Sequence, residues 1–184
     1  MKEDTETTKT IHRKFSLSEY HPNWVLQFAS IQDLVSKVFG GKALKIEHVG
    51  STAIPGMKAK PLIDVLVVVE KLEPFEKEKK LMIEAGYEWR YHSKPDEGLM
   101  FSKFGLDGEK FENIHMCEES SSWVRKFIVM RDYLRAHPEK AKEYSELKQK
   151  AIELYPDDYP AYRKAKAPFL ERLKEEAYTW ERNK

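Results

Sequence analysis

The sequence predicts an α/β (α+β) domain, in which a mixed sheet is flanked by helices and followed by a helical C-terminal portion. Two observations support this fold class. Up to about residue 119, apolar side chains occur mainly in short β-prone runs between turn residues, whereas from residue 120 onward they recur every three or four residues. The 184 residues suffice for one continuous core. We therefore expect a disordered N-terminal tail over 1–14 and a single domain over 15–184, with an α/β half to about 119 and a helical half over 120–184.

The α/β half opens with a predicted helix. Apolar residues from Trp24 to Val38 recur on one helical face after Pro22, and the pair Gly40-Gly41 ends the helix. The runs that follow alternate or are continuously apolar, as strands do. Strands are predicted at 43–49, 62–69, 87–91, 99–104 and 110–117, with a helix from Pro74 to Gly86, a turn over 94–98 and a hairpin turn at 106–109.

The helical half contains three apolar stripes, each at the spacing of one helix face. Ser120 to Ser122 offer N-caps for the first helix, His137-Pro138 ends it, and Pro168 is expected to begin or kink the third. The stripes consist of Trp123, Phe127, Met130 and Leu134, then Tyr144, Leu147, Ala151 and Leu154, then Leu170, Leu173, Ala177 and Trp180.

Composition narrows the classes of partner. With 32 basic and 31 acidic residues, the net charge of +1 provides no general attraction to nucleic acid or to an anionic membrane. The longest apolar run, 65–69, is too short to span a bilayer. Cys117 is the only cysteine, which excludes an internal disulfide, and the polar N-terminus does not resemble a signal peptide. We therefore expect a cytoplasmic protein whose partner is a small molecule.

The best candidate for a binding site is the small-residue turn Gly50-Ser51-Thr52. Glycine lets a phosphate approach the backbone closely, and the two hydroxyl groups are donors beside amide groups that no regular element uses. Lys60 adds a cation in the same loop. This pattern is typical of an anion site. An ordinary tight turn is the alternative, since short motifs of this kind are weak evidence.

Asp64 is the second feature of this stretch. It lies in the most β-prone run of the chain, between Ile63 and Val65, and a carboxylate there is costly to bury unless it meets solvent, a cation or a metal ion. Asp64 is thus the candidate ligand for a divalent metal ion. The alternative is that it caps a neighbouring loop.

The residues of this stretch resemble the signature of the GrpB family, whose members are regarded as relatives of nucleotidyltransferases of the DNA polymerase beta type. The similarity consists of Glu47-His48-Val49-Gly50-Ser51-Thr52-Ala53-Ile54-Pro55-Gly56, followed by Lys60-Pro61-Leu62-Ile63-Asp64-Val65. It extends to Tyr20, Pro22 and Trp24, to Asn113-Ile114-His115, and to the segment 131–138, so that it covers about 15–173.

The resemblance implies a nucleotidyltransferase-like fold and a nucleotide or another phosphorylated small molecule as ligand. Gly50, Ser51 and Thr52 would cradle the β- and γ-phosphates, and Lys60 would add positive charge. Asp64 would ligate Mg²⁺ and act with His115 as a candidate catalytic residue. Lys103 and Arg131 match basic positions of the family pattern and would hold a phosphate or carboxylate.

One departure from the nucleotidyltransferase pattern concerns the metal site. Residues two apart share a strand face, so the partner carboxylate of Asp64 is expected at position 66, where this chain has leucine. The first hypothesis is therefore a nucleotide-binding protein that transfers a nucleotidyl group. The second is a non-catalytic phosphate-binding module that has lost the metal pair. The third is a transition-metal site formed by His48, Asp64 and His115.

Overall fold

The computed structural model describes residues 16–72, 74–91 and 98–184. Each predicted strand and helix within these ranges is present, and boundaries agree to within a few residues except at the start of the last helix. In chain order the elements are α1 Asn23–Phe39, β1 Ala43–Val49, β2 Ile63–Val69, α2 Glu76–Glu84, β3 Glu88–Tyr91, β4 Leu99–Phe104, β5 Lys110–Glu118, α3 Ser122–Ala136, α4 Pro138–Leu154 and α5 Tyr159–Arg182.

The five strands of the described ranges form one sheet in the order β1-β2-β5-β4-β3. Only β2 and β5 run parallel, and the other neighbouring pairs are antiparallel, so the sheet is mixed. Parallel pairing of β2 with β5 places Asp64 opposite Asn113 at the central pair of strands. The residues of the site therefore come from the middle of the sheet.

The two faces of the sheet are covered by different helices. Alternate residues of β2, including Val65 and Val67, pack with α1 residues such as Ile31 and Val35. Leu66 and Val68 point to the other face, where they pack with Val124 of α3. Asp64 shares this second face with Leu66, because residues two apart in a strand lie on the same side. The helical half therefore lies on the side of Asp64.

The loop between β1 and β2 lies under the helical half. Ile54 and Met57 from this loop belong to one buried cluster with Val129 of α3 and Leu173 of α5. Arg135 Nε also donates a hydrogen bond of 2.9 Å to the carbonyl oxygen of Ala53. These contacts fix the Gly50-Ser51-Thr52 turn against α3, α4 and α5.

The last helix differs from the prediction. α5 begins at Tyr159, where the Asp158 carboxylate caps the amide of Ala161, and Pro168 lies inside the helix rather than at its start. Leu154, expected in the stripe of the preceding helix, is 71% exposed. The predicted tail over 1–14 lies outside the described residues, as does the turn over 94–98 except for Gly98. The predicted domain boundaries stay a prediction.

Candidate functional site

The Gly50-Ser51-Thr52 turn and the Asp64 carboxylate touch each other. Gly50 follows β1 with φ 73° and ψ −172°, a backbone conformation that is available almost only to glycine. A Cβ atom at this position would lie 2.6 Å from Asp64 Oδ2. Glycine is therefore required twice, by its backbone angles and by the close approach of the carboxylate.

A single 3-10 turn over Ser51–Ala53 follows the glycine. The amides of Ala53 and Ile54 donate to the carbonyl oxygens of Gly50 and Ser51 at 3.2 and 3.3 Å. The amides of Ser51 and Thr52 precede the first hydrogen bond of the turn, so the turn itself gives them no acceptor. They directly follow Gly50, the residue of the turn that approaches the Asp64 carboxylate.

Side chains of β5 hold Asp64 in place. Asn113 Nδ2 donates to Asp64 Oδ1 at 3.0 Å, and His115 Nε2 lies 3.3 Å from the same oxygen. Asn113 is in turn fixed by the hydroxyl of Ser102, which donates to its Oδ1 at 3.0 Å. The structure thus brings together the candidate catalytic residues Asp64 and His115.

Two lysines from the helical half complete the site. Lys148 of α4 and Lys166 of α5 line a cavity of about 240 Å³ together with Gly50, Ser51, Lys60 and Asp64. We call this space the cation cavity. It adjoins an outer cleft of about 520 Å³, which shares Lys60, Leu62 and Tyr159 with it. The cation cavity and the outer cleft therefore adjoin beside Lys60.

Lys148 is the most deeply buried of these cations, with a relative exposure of 3%. Its Nζ donates to Ser51 Oγ at 3.0 Å and to the carbonyl oxygen of Lys58 at 2.5 Å. Burial, with the neighbouring charge of Lys166, lowers the pKa of Lys148 to about 7. Neither lysine forms an ion pair among residues 16–72, 74–91 and 98–184.

Lys166 is half-buried, and its pKa is lowered as that of Lys148 is. Burial and the charges of Arg163 and Lys60 lower the pKa of Lys166 to about 8, although the Asp64 carboxylate acts in the opposite direction. One carboxylate thus faces several cations. The cavity has an excess of positive charge in a site with restricted access to water.

His48 does not join Asp64. In the register of β1 and β2 it is opposite Val65, so its side chain points to the face of α1, where it stacks on Phe28 at a centroid distance of 4.9 Å. Its Nε2 lies 3.0 Å from Thr52 Oγ1, and burial, followed by Arg135, lowers the pKa of His48 to about 4. The structure therefore does not bring His48 together with Asp64, and the transition-metal site and the metal role of His48 stay predictions that this geometry does not support.

Thr52 is also used by the fold. Its hydroxyl donates to the carbonyl oxygen of Leu62 at 3.1 Å. The residue is only 1% exposed. It thereby ties the turn to the residue that precedes β2. Its side chain therefore holds the Gly50-Ser51-Thr52 turn in place and does not line the cation cavity.

Two other predicted binding residues are not brought to the cavity. Lys103 is opposite Glu112 in the sheet, one residue out of phase with Asn113, and its Nζ lies over the Tyr87 ring at 5.1 Å. Arg131 donates from Nη1 to the Glu47 carboxylate at 2.7 Å and to the carbonyl oxygen of His48 at 3.1 Å. Arg131 thus supports the end of β1 rather than offering its charge to a ligand.

The oxygen ligands around Asp64 do not fit a two-metal site. Leu66 occupies the expected position of the second carboxylate and is fully buried. Within the described part of the chain, no group of three His, Cys, Asp or Glu side chains is arranged to hold a metal ion. Asp64 Oδ1 already accepts from Asn113, and cations occupy the surrounding positions. The magnesium site stays a prediction that this donor set does not support.

Lys148 and Lys166 were missed in the sequence, although a signal was present for Lys148. Lys148 follows Tyr144 by four residues and precedes Ala151 by three, so it lies on the apolar stripe that was predicted to be buried. A lysine within a buried helical stripe needs a specific partner, and this rule identifies Lys148. Lys166 follows Tyr162 by four residues, but both precede the third predicted stripe, so the rule does not identify Lys166.

No helix within the described ranges is both long enough and apolar enough to cross a membrane.

Comparison with known proteins gives a consistent family assignment. A family model described as GrpB protein matches residues 14–176. The glutamate-rich protein GrpB of Alkalihalophilus pseudofirmus is 36% identical over 161 residues, which are 85% of this chain and 92% of that protein. The UPF0157 protein YqkA of Bacillus subtilis is 31% identical over 174 residues, 94% of this chain, but this chain spans only 50% of its length.

A dephospho-CoA kinase of Mycolicibacterium paratuberculosis is 25% identical over 182 residues, and the match covers 86% of this chain and 45% of that enzyme. Among solved structures, the conserved protein GrpB from Enterococcus faecalis superposes with a TM-score of 0.81 at 29% identity. The superposition covers 88% of this chain and 96% of that one, which confirms the predicted mixed sheet flanked by helices. By its sequence and its fold, this chain belongs to the GrpB protein family.

Proposed function

We propose that this protein binds the phosphate group of a small phosphorylated molecule, with a nucleotide as the leading candidate, in the cation cavity. The observation that supports this proposal is the pair Lys148 and Lys166, which lie beside the Gly50-Ser51 turn without an ion-pair partner among the described residues. Their depressed pKa values are the expected result of placing two ammonium groups in a partly buried space.

An anion is the ligand that best complements this arrangement. Burial of an unpaired ammonium group is unfavourable, and a bound phosphate would compensate both lysines at once. Phosphate oxygens would accept from Ser51, from the amides at the start of the 3-10 turn and from Lys148. Lys60, at the mouth of the cavity, would contribute a further charge. A neutral ligand would leave the excess charge uncompensated.

The same contacts argue for binding without nucleotidyl transfer. Transfer of this kind uses clustered carboxylates to hold two metal ions, and the cavity supplies only Asp64, because Leu66 replaces its partner. Asp64 instead accepts from Asn113 and balances part of the charge of Lys166. We therefore favour the non-catalytic phosphate-binding module over the nucleotidyltransferase.

The test is calorimetric titration with inorganic tripolyphosphate, once in the presence of a chelator and once with excess Mg²⁺. We expect saturable binding at one site, with affinity that does not improve when Mg²⁺ is present. Absence of binding under both conditions would contradict the proposal. Release of pyrophosphate from a nucleoside triphosphate, lost in Asp64→Ala, would instead support the nucleotidyltransferase.

The affinity for an anion is expected to depend on pH. Sulfate is a suitable probe because its own charge is constant across the neutral range. Binding requires protonated lysines, whose pKa values are about 7 and about 8, so affinity is highest at lower pH and falls as pH rises through this window. The fraction of protein with both ammonium groups charged falls about hundredfold between about pH 6 and about pH 8.5, so we expect sulfate to bind about hundredfold more weakly at the higher pH. A constant affinity over this range would show that neither lysine contributes.

A further inference from the structure

A second cavity lies on the other side of the Gly50-Ser51 turn. Its volume is about 200 Å³, and it shares Gly50, Ser51 and Tyr144 with the cation cavity. Most of the remaining wall comes from α3 and α5. We call it the apolar cavity, and define it by the side chains of Trp123, Phe127, Met130, Leu134 and Leu170.

Neither cavity alone reaches the size of a usual small-molecule site. Ligand pockets have volumes of about 300–1,000 Å³. The cation cavity, at about 240 Å³, and the apolar cavity, at about 200 Å³, reach this range when they are taken together. Because Gly50, Ser51 and Tyr144 form part of both walls, the two spaces adjoin at the turn that we propose as the phosphate site.

The apolar cavity differs from its neighbour in chemistry. Two basic residues, Lys126 and Arg131, also line it. Arg131 already donates to Glu47, to Asp132 and to the backbone of His48, and Lys126 Nζ lies over the Trp123 ring. Recognition in this cavity must therefore depend mainly on apolar and aromatic contact. Hydrogen bonds in the ligand site are concentrated around Ser51 and Lys148.

Aromatic side chains determine the shape of this wall. The rings of Trp123 and Phe127 are 5.6 Å apart at an interplanar angle of 48°. Lys126 Nζ lies 4.1 Å from the centre of the Trp123 ring, and the His115 ring lies 5.0 Å from the Phe127 ring. These contacts restrict both rings, and aromatic side chains pair favourably with other rings in offset-stacked or edge-to-face arrangements.

We infer that the ligand carries a planar aromatic ring joined to its phosphate, with the ring in the apolar cavity and the phosphate in the cation cavity. This inference rests on the proposed function, because the phosphate defines which end of the ligand contacts Lys148. Selectivity among ring systems is expected to be weak, since the wall offers stacking surfaces rather than a pattern of donors and acceptors.

The test compares three probes that carry a triphosphate or phosphate group: inorganic tripolyphosphate, a nucleoside triphosphate and an alkyl phosphate. The nucleoside triphosphate is expected to bind at least about tenfold more tightly than tripolyphosphate, because stacking of a base on aromatic side chains adds binding energy of this size. It is also expected to quench the fluorescence of Trp123. The contribution of Trp123 is the part of the total fluorescence that is lost in Trp123→Phe. The alkyl phosphate is expected to show neither effect.

A variant that fills the apolar cavity separates the two ends of the ligand. Met130→Phe adds a ring to the wall, and we expect it to weaken nucleoside triphosphate binding about tenfold while tripolyphosphate binds within twofold of wild type. The matched control is Leu81→Phe on the exposed side of α2, which should change neither affinity. Circular dichroism checks that each variant is folded. Trp123→Ala, which removes an aromatic ring from the apolar cavity instead of adding one, is the second variant.

The outcomes distinguish this inference from the proposed function. If tripolyphosphate binds but the ring-bearing probe binds no more tightly, the aromatic subsite is wrong and the phosphate site stands. If the alkyl phosphate binds as tightly as the nucleoside triphosphate, once affinities are corrected for the number of phosphate groups, the apolar cavity does not require an aromatic ring and the inference is overturned. If no probe binds, the proposed function itself fails.

Discussion

Replacement of Lys148 by methionine is expected to reduce the affinity for tripolyphosphate about tenfold to hundredfold. Charge-assisted hydrogen bonds are worth about 1.5–3 kcal/mol, and Lys148 is the cation that already contacts Ser51 in the turn. Methionine is similar in length, so the packing against Tyr144 is largely kept. The measurement is calorimetric titration of wild type and variant under identical ionic strength.

The control for this prediction is Lys142→Met, which removes the same charge from an exposed position of the same helix. It is expected to bind tripolyphosphate as wild type does, because exposed charges at a distance are screened by salt. Equal affinity of Lys148→Met and wild type, with both folded, would place the anion elsewhere. Equal losses in the two lysine variants would reveal a general charge effect rather than a built site.

Gly50→Ala is expected to lower the free energy of unfolding by about 3 kcal/mol or more and to abolish anion binding. Alanine must adopt a backbone conformation that is almost exclusive to glycine, which costs about 1–3 kcal/mol. Its Cβ must also displace the Asp64 carboxylate, which would otherwise be 2.6 Å away. Urea unfolding measures the first effect and calorimetric titration the second.

Gly56→Ala is the matched control, since Gly56 has φ +75° but no other atom within 4 Å of the place where a Cβ would lie. Its cost is expected to be only about 1–2 kcal/mol, the strain of a left-handed residue without a clash. In the double variant Gly50→Ala with Asp64→Ala, stability should recover in part, because the oxygen at 2.6 Å is gone although the Cβ of residue 64 remains at 3.1 Å. Strict additivity of the two substitutions would contradict the proposed contact.

Much of the sheet and its site could be predicted because local signals agreed with the fold. The turn at Gly50 and the β-prone run around Asp64 belong to strands that are adjacent in the chain, and short connections keep such strands together. The alternation of side chains along β5 correctly placed Asn113 and His115 on one face of the strand and Glu112 and Ile114 on the other. The sequence did not reveal which of these two faces meets Asp64, because this depends on the register of a parallel pair that is remote in sequence.

The residues that the sequence misplaced or missed have several physical causes. Lys103 and His48 each lie one residue out of phase with the face of Asp64, and a shift of one residue in a strand reverses the side chain. Lys148 and Lys166 come from helices whose rotation about their axes depends on tertiary packing. Pro168 was expected to begin or to kink the last helix, and only the first of these alternatives is wrong, because the helix already begins at Tyr159.

The buried pair His48 and Thr52 ties this site to acid stability. In the folded protein the imidazole stays neutral until about pH 4, whereas in the unfolded chain it takes up a proton near 6.5. The unfolded state therefore binds more protons between these values, and the free energy of unfolding decreases as pH falls through this window. Acidification weakens the fold at the very turn that contacts the ligand, while over the range in which the lysines titrate this histidine keeps one charge state. Proton uptake by the cavity can thus be followed near neutrality without interference from the residue beneath it.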